Sequence, residues 1–210
     1  MLIWANVRSE DEAELNDWYT RQHLFERSSI AGVLRGRRFL SDRAAIRFLV
    51  IYEAVSASVF AGEEYLRSVN NPAPRTAEVV SGFSDTVRTI HRTAQRYGDD
   101  GGCIATVRIA AGGELPAVDC KCLTLRPGMV GATVFKEDAD VSGLTNTEMV
   151  LRGTEDGRCA AVIVLEGLDR VSVEREAQTL ERMLAAAHLR FETGIYQHIS
   201  TKYHGTDRDF

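Results

Sequence analysis

Val33-Leu34-Arg35-Gly36-Arg37-Arg38-Phe39-Leu40, the turn Ser41-Asp42-Arg43, and Ala45-Ile46-Arg47-Phe48-Leu49-Val50-Ile51-Tyr52-Glu53-Ala54 decide the fold class. Two runs rich in branched and aromatic side chains around a polar turn read as a strand pair. Upstream, Leu2 to Arg8 reads as a strand. Ser9-Glu10-Asp11-Glu12 then reads as a helix start, with Ser9 as cap and Glu12 reaching back to the cap's amide. The helix is expected from about Glu10 to Ser29, ended by Gly32. Downstream, a second helix runs from Ser56 or Ser58 to about Val69. Asn70-Asn71-Pro72-Ala73-Pro74 stops it, because proline cannot continue the hydrogen-bond ladder. One long strand, Thr86 to Tyr97, completes the order β-α-β-β-α-β, which is the split βαβ or ferredoxin-like unit.

Gly98-Asp99-Asp100-Gly101-Gly102 reads as a linker, after which the order restarts. Cys103 to Ala110, Met129 to Lys136 and Arg158 to Glu166 are expected strands, Val171 to Ala187 a helix and Arg190 to Tyr203 a final strand. The first helix of this repeat is weak, since only Ala111 to Gly128 is available, with Gly112, Gly113, Pro116 and Pro127 inside it. Asp138 to Gly157 is an insertion expected to add a hairpin through Thr147 to Arg152. The expected class is α+β, in two tandem ferredoxin-like halves: 1–97 with the candidate site, linker 98–102, 103–204, and a tail 205–210. A sheet with helices on one face leaves its other face open. Two such halves can cover each other, in an intramolecular dimeric-α+β-barrel-like arrangement.

Composition works by exclusion. With 25 basic and 30 acidic side chains the net charge is −5, which lacks the basic surplus of a phosphate-neutralising protein, so nucleic acid is not an expected partner. No run of about 18 apolar residues occurs, so no membrane span is expected. Residues 1–7 lack the basic start of a signal peptide, and the expected location is cytoplasmic. Cys103, Cys120, Cys122 and Cys159 are accordingly expected as free thiols, and Cys120-Lys121-Cys122 lacks a second Cys/His pair at zinc-site spacing. Neither a metal nor a cofactor is expected.

The stretch Asp17-Trp18-Tyr19-Thr20-Arg21-Gln22-His23-Leu24-Phe25-Glu26-Arg27, followed by Ile30-Ala31-Gly32-Val33-Leu34-Arg35-Gly36-Arg37-Arg38-Phe39, resembles the first helix and second strand of the dimeric α+β barrel superfamily, in its EthD-like and uncharacterised members. In those members an aromatic pair precedes a helix histidine, and a Pro-Gly precedes an Arg-rich strand. Here Ala31 stands in place of that proline. The resemblance implies the fold; the superfamily's reactions include isomerisation, cyclisation, C–C lysis, monooxygenation and heme chemistry.

Tyr19, His23 and Glu26 fall at spacings of four and three, which puts a phenol, an imidazole and a carboxylate on one helix stripe. An imidazole titrates near neutrality and can move a proton, with Glu26 orienting it. The same spacing suits a histidine that merely packs the helix on its sheet, and both readings stand. Arg35 and Arg37 alternate with Arg38 between strand faces, and Arg35 or Arg38 could clamp a carboxylate. Trp4 and Asn6 share a face of the first strand, and Thr89, His91, Thr93 and Gln95 share a face of the fourth. With Trp18 flanking the stripe, the candidate substrate-binding set is Trp4, Asn6, Trp18, Arg35, Arg38 and His91.

There is no phosphate loop, dinucleotide fingerprint, nucleophile elbow or zincin motif. The expectation is a cofactor-free isomerase, cyclase or C–C lyase using His23 on an aromatic or carboxylated metabolite. A non-catalytic ligand-binding or assembly protein and a heme-binding, monooxygenase-like member are the alternatives, and a homodimer is compatible with each.

Overall fold

The computed structural model describes residues 1–111 and 115–205. The expected tail, apart from Gly205, and Gly112 and Gly113 lie outside the described residues. The strands are β1 (Leu2–Asn6), β2 (Val33–Leu40), β3 (Phe48–Ala54), β4 (Ser84–Thr89), β5 (His91–Gly98), β6 (Cys103–Ile109), β7 (Met129–Glu137), β8 (Ala161–Gly167) and β9 (Phe191–Tyr203). They form one sheet in the order β4-β1-β3-β2-β9-β6-β8-β7-β5, and its strand pairs are antiparallel.

Two strands carry the chain across the middle of this sheet. β9 pairs with β6 through its first part and with β2 through its second, and Gln197 has partners on both sides, Cys103 and Leu40. β4 and β5 are the sheet's two ends, yet only Ile90 separates them. The sheet therefore curls until its ends meet. Leu2, Trp4, Phe39, Leu49 and Ile51 pack in one cluster with Ile104, Val162, Val164 and Tyr196, so strands from both parts of the chain bury their inner faces together.

The outer faces are covered by helices. On the first part lie α1 (Glu12–Trp18), a π turn (Tyr19–His23), α2 (Leu24–Ser28), a 3₁₀ turn (Ala57–Ala61), α3 (Glu63–Asn70) and α4 (Pro74–Ser81). On the second lie α5 (Cys120–Thr124) and the long α8 (Arg170–Ala186). The insertion is helical: α6 (Ala139–Ser142) and α7 (Thr147–Leu151), with α7 packed on α3 and α4.

Several expectations need correction. The hairpin through 147–152 is α7, because Asn146 accepts a hydrogen bond from the Met149 amide and caps a helical turn; Asp138 does the same for α6. Ser9 caps nothing: Ser9–Asp11 is a 3₁₀ turn without a side-chain cap bond, and Glu12 is taken by Arg47 instead. Pro74 stops one helix but starts another, α4, since a proline in the first turn forfeits no ladder bond. The strand expected as one run from 86 to 97 is two, because it changes neighbours at Ile90.

Candidate functional site

The helix stripe folds differently from its α-helical reading. Leu24 N–H donates to Tyr19 C=O, a five-residue span that inserts one extra residue into the turn. In an α-helix, positions 18 and 23 would point about 140° apart. The π turn brings them together, and the His23 ring stacks on Trp18 with centroids 4.0 Å apart and 23° between planes. Tyr19 meets His23 edge-on at 5.4 Å, and Arg38 lies 4.3 Å over the Tyr19 ring while donating to Asn16 at 2.8 Å. Trp18 itself donates to Thr76 at 3.2 Å.

His23 is buried. Its Nδ1 faces Glu26 at 3.6 Å, beyond hydrogen-bond length, and among the described residues it makes no hydrogen bond. Burial, reinforced by Arg27, pushes the imidazole down to about 4, so it is neutral at physiological pH. Tyr19 is pushed up to about 12 by burial, against the pull of Arg38. The void beside this stripe measures about 10 Å³ and is lined by Tyr19, Leu15 and Phe83, not by His23.

The sheet separates the expected site residues into two sets. Trp18, Tyr19, His23, Glu26 and Arg38 lie with the helices. Trp4 lies on the inner face, fully buried beneath Arg108 at 5.1 Å. Asn6 is already committed: it donates to Ala45 C=O and to the Asp85 carboxylate and accepts from the Arg47 amide. Arg35 is held by Glu53 and Asp100. Gln95 does not share the face of His91, because a register shift after Thr93 turns it to α5, where it accepts from the Cys120 amide at 2.9 Å.

His91 occupies a place of its own. Where the chain leaves β1 at Thr89 and joins β7 at His91, no strand among the described residues bridges the gap between the end of β3 and β5. That gap is a cleft of about 680 Å³. Leu2, Ile51 and Phe135 form apolar wall; His91, Thr93, Arg92 and Arg96 come from β5, and Phe60 and Val141 from the covering turns. Arg92 is paired with Asp138 at 2.7 Å and Arg96 with Glu53 at 2.8 Å, so these charges are already balanced. Burial drives His91 down to about 3, leaving it neutral. Its Nε2 lies 3.7 Å from the Cys159 sulfur, and its Nδ1 makes no hydrogen bond of ordinary geometry. Cys159 is pushed up to about 11 by burial, so the pair is neutral and the thiol is not an activated nucleophile. The cleft was legible in the sequence only through the polar face containing His91; the seam that opens it is a long-range feature.

No protein-family model and no curated protein matches the sequence. Among solved structures the chain is similar to an anthrone oxidase-like protein, with a TM-score of 0.62 and 14% identity over 97% of this chain and 92% of that one. It is also similar to a candidate monooxygenase from Fusobacterium nucleatum subsp. nucleatum, with a TM-score of 0.51 and 10% identity over 96% and 92%. The chain shares their fold. At these identities the likeness is one of architecture, an α+β fold with a large antiparallel sheet.

Proposed function

We propose that this chain is a cofactor-free small-molecule enzyme that binds a ring-containing metabolite in the seam cleft and moves a proton with a buried, neutral histidine. The observation that carries the reading is the cleft itself, about 680 Å³, with Leu2, Ile51, Phe60 and Phe135 in its walls beside polar groups and an uncharged imidazole in its lining. Cavities of this size take compounds of a few rings, and apolar walls with a few polar groups are their usual lining. A neutral imidazole is the form that accepts a proton from a carbon acid or phenol, the step shared by isomerisation, cyclisation and C–C lysis. Support for reading the chain as tandem ferredoxin-like halves, 1–97 and 103–204, comes from the matching strand orders β4-β1-β3-β2 and β9-β6-β8-β7.

His23 carries a second reading, favoured by its π turn and its unpartnered Nδ1. There Tyr19 and Glu26 would assist, with Trp18 and Arg38 holding the substrate. The name of the anthrone oxidase-like neighbour suggests an oxidative variant of the same step. With dioxygen as co-substrate, a ring methylene would lose two hydrogens and gain one oxygen atom, and the second oxygen atom would leave as water. The heme alternative has less support: one face of His23 is covered by Trp18, and His91 is engaged by Cys159.

The test is a panel of phenols and aromatic acids titrated into the purified protein while turnover is followed, repeated with Thr93→Trp to fill the cleft. Saturable turnover that the tryptophan abolishes supports the reading. Turnover that it leaves intact moves the site to the His23 stripe.

A further inference from the structure

The layer between the first helices and their sheet holds more buried positive charge than negative. Arg27, Arg38, Arg88 and Arg152 are between 3% and 8% exposed. They come from α2, β2, β4 and the end of α7, so the insertion of the second half completes a cluster begun by the first. The opposing buried carboxylates are Glu148, bonded to Arg27, and Asp156, bonded to Arg152 at 3.0 Å. Glu26 is half-buried at the rim, where Gln22 donates to it. Among the described residues, neither Arg38 nor Arg88 donates to a carboxylate. Arg38 reaches Asn16, and Arg88 reaches the Tyr65 hydroxyl at 3.2 Å.

Donors are also left over. Among the described residues, Arg88 Nη1 and Arg152 Nε are buried without a hydrogen-bond partner, as is the Asp156 Oδ1 acceptor. These two guanidiniums feel each other's charge, and Tyr65 lies between Arg88, to which it is bonded, and Arg27, which sits 5.8 Å over its ring. Burial pushes Asp156 up and Arg152 down, which is what a carboxylate and a guanidinium with too little compensation show. Arginine does not escape by losing its proton, so its charge persists and must be met from outside the chain. Burying an unmet charge is among the most costly arrangements a fold can contain.

From this imbalance we infer that the layer binds a small oxyanion between Arg88 and Arg152, with Arg27 and Tyr65 completing its surroundings. The shared chemistry is a compact group with two or more acceptor oxygens, which guanidinium N–H pairs fit closely. Inorganic phosphate and the carboxylate of a small acid both supply it. The site is separate from the seam cleft, and neither depends on the other.

The experiment is thermal melting of the whole chain against increasing phosphate, and separately formate, with ionic strength held by sodium gluconate, whose anion is too bulky for the layer. An anion that binds only the folded chain raises the melting temperature saturably, and the curve yields an apparent Kd. Arg88→Met should weaken that Kd at least about tenfold, as expected for a lost charged hydrogen bond. In sodium gluconate without phosphate or formate the same variant should melt no lower than the parent, since it removes an unmet charge. Asp156→Asn should move the affinity the other way, tightening it several-fold by removing the competing carboxylate. A merely structural cluster would give no such opposite signs. A melting temperature indifferent to both anions, or an equal response in parent and Asp156→Asn, overturns the inference; a response to formate but not phosphate assigns the site to carboxylates.

Discussion

Arg37 on β2 and Glu166 on β8 are joined by two parallel hydrogen bonds of 2.7 and 2.9 Å across the inside of the curled sheet. Both are buried, and Glu166 also accepts from the Gly101 amide at 2.8 Å, which fixes the segment linking the two parts of the chain. Breaking such a pair from one side leaves the buried Arg37 with only the partly exposed Asp100, at 3.2 Å, as counter-charge. Glu166→Gln should therefore lower stability by roughly 3–5 kcal/mol in urea unfolding, whereas Arg37→Met with Glu166→Leu should recover most of the loss. An unchanged midpoint in the single variant would show that the pair does not hold the two parts together.

Acid should destabilise the protein early. His23 and His91 are held near 4 and 3 by burial, against about 6.5 in an unfolded chain. Below pH 6.5 the unfolded chain takes up protons that the folded chain refuses, so stability falls as pH drops from 6.5 towards 4 for His23 and 3 for His91. Each contributes at most a few kcal/mol. Urea midpoints measured between pH 7 and 4.5 should fall less steeply for His23→Phe than for the parent, and equal slopes would place His23 in water.

The alternation of strand residues is enough to set Arg37 and Arg38 on opposite faces, and the helix expected from about Glu10 to Ser29 is present as α1, the π turn and α2, although the Ser9 cap read as its start is not. The change of neighbours at Ile90 was not legible, because the alternation of Thr89 and His91 runs through it and only pairing with distant strands reveals it. The same holds for the π turn: Trp18 and His23 stand at a spacing that an α-helix keeps apart. Nothing in the sequence marks Arg27, Arg88 and Arg152 for burial. They are buried because α7, from the insertion, closes over α3 and α4. Short apolar runs such as Met149-Val150-Leu151 suit a strand or a helix equally, and the Asn146 cap decides between them.

The linker depends on a missing side chain. A Cβ on Gly131 would sit 2.1 Å from the Asp99 carbonyl oxygen, a backbone atom that cannot turn aside. Gly131 pairs with Gly98, and the Asp99 amide donates to Val130 C=O at 2.9 Å. Gly131→Ala should cost about 1–3 kcal/mol or more through forced separation of these strands. A melting temperature equal to the parent's would mean that the segment 98–102 is held elsewhere.

Turnover and melting temperature measured together on His91→Phe and His23→Phe, using the best substrate from the phenol and aromatic-acid panel, decide which histidine moves the proton. Removing a general base typically lowers the rate by about 10² to 10⁴, whereas removing a packing histidine changes stability. His91→Phe should lose turnover by that order while melting near the parent temperature, and His23→Phe should retain turnover. Full turnover in His91→Phe, with loss in His23→Phe, would rule out His91 as the base and move the chemistry to the Trp18–His23 stack.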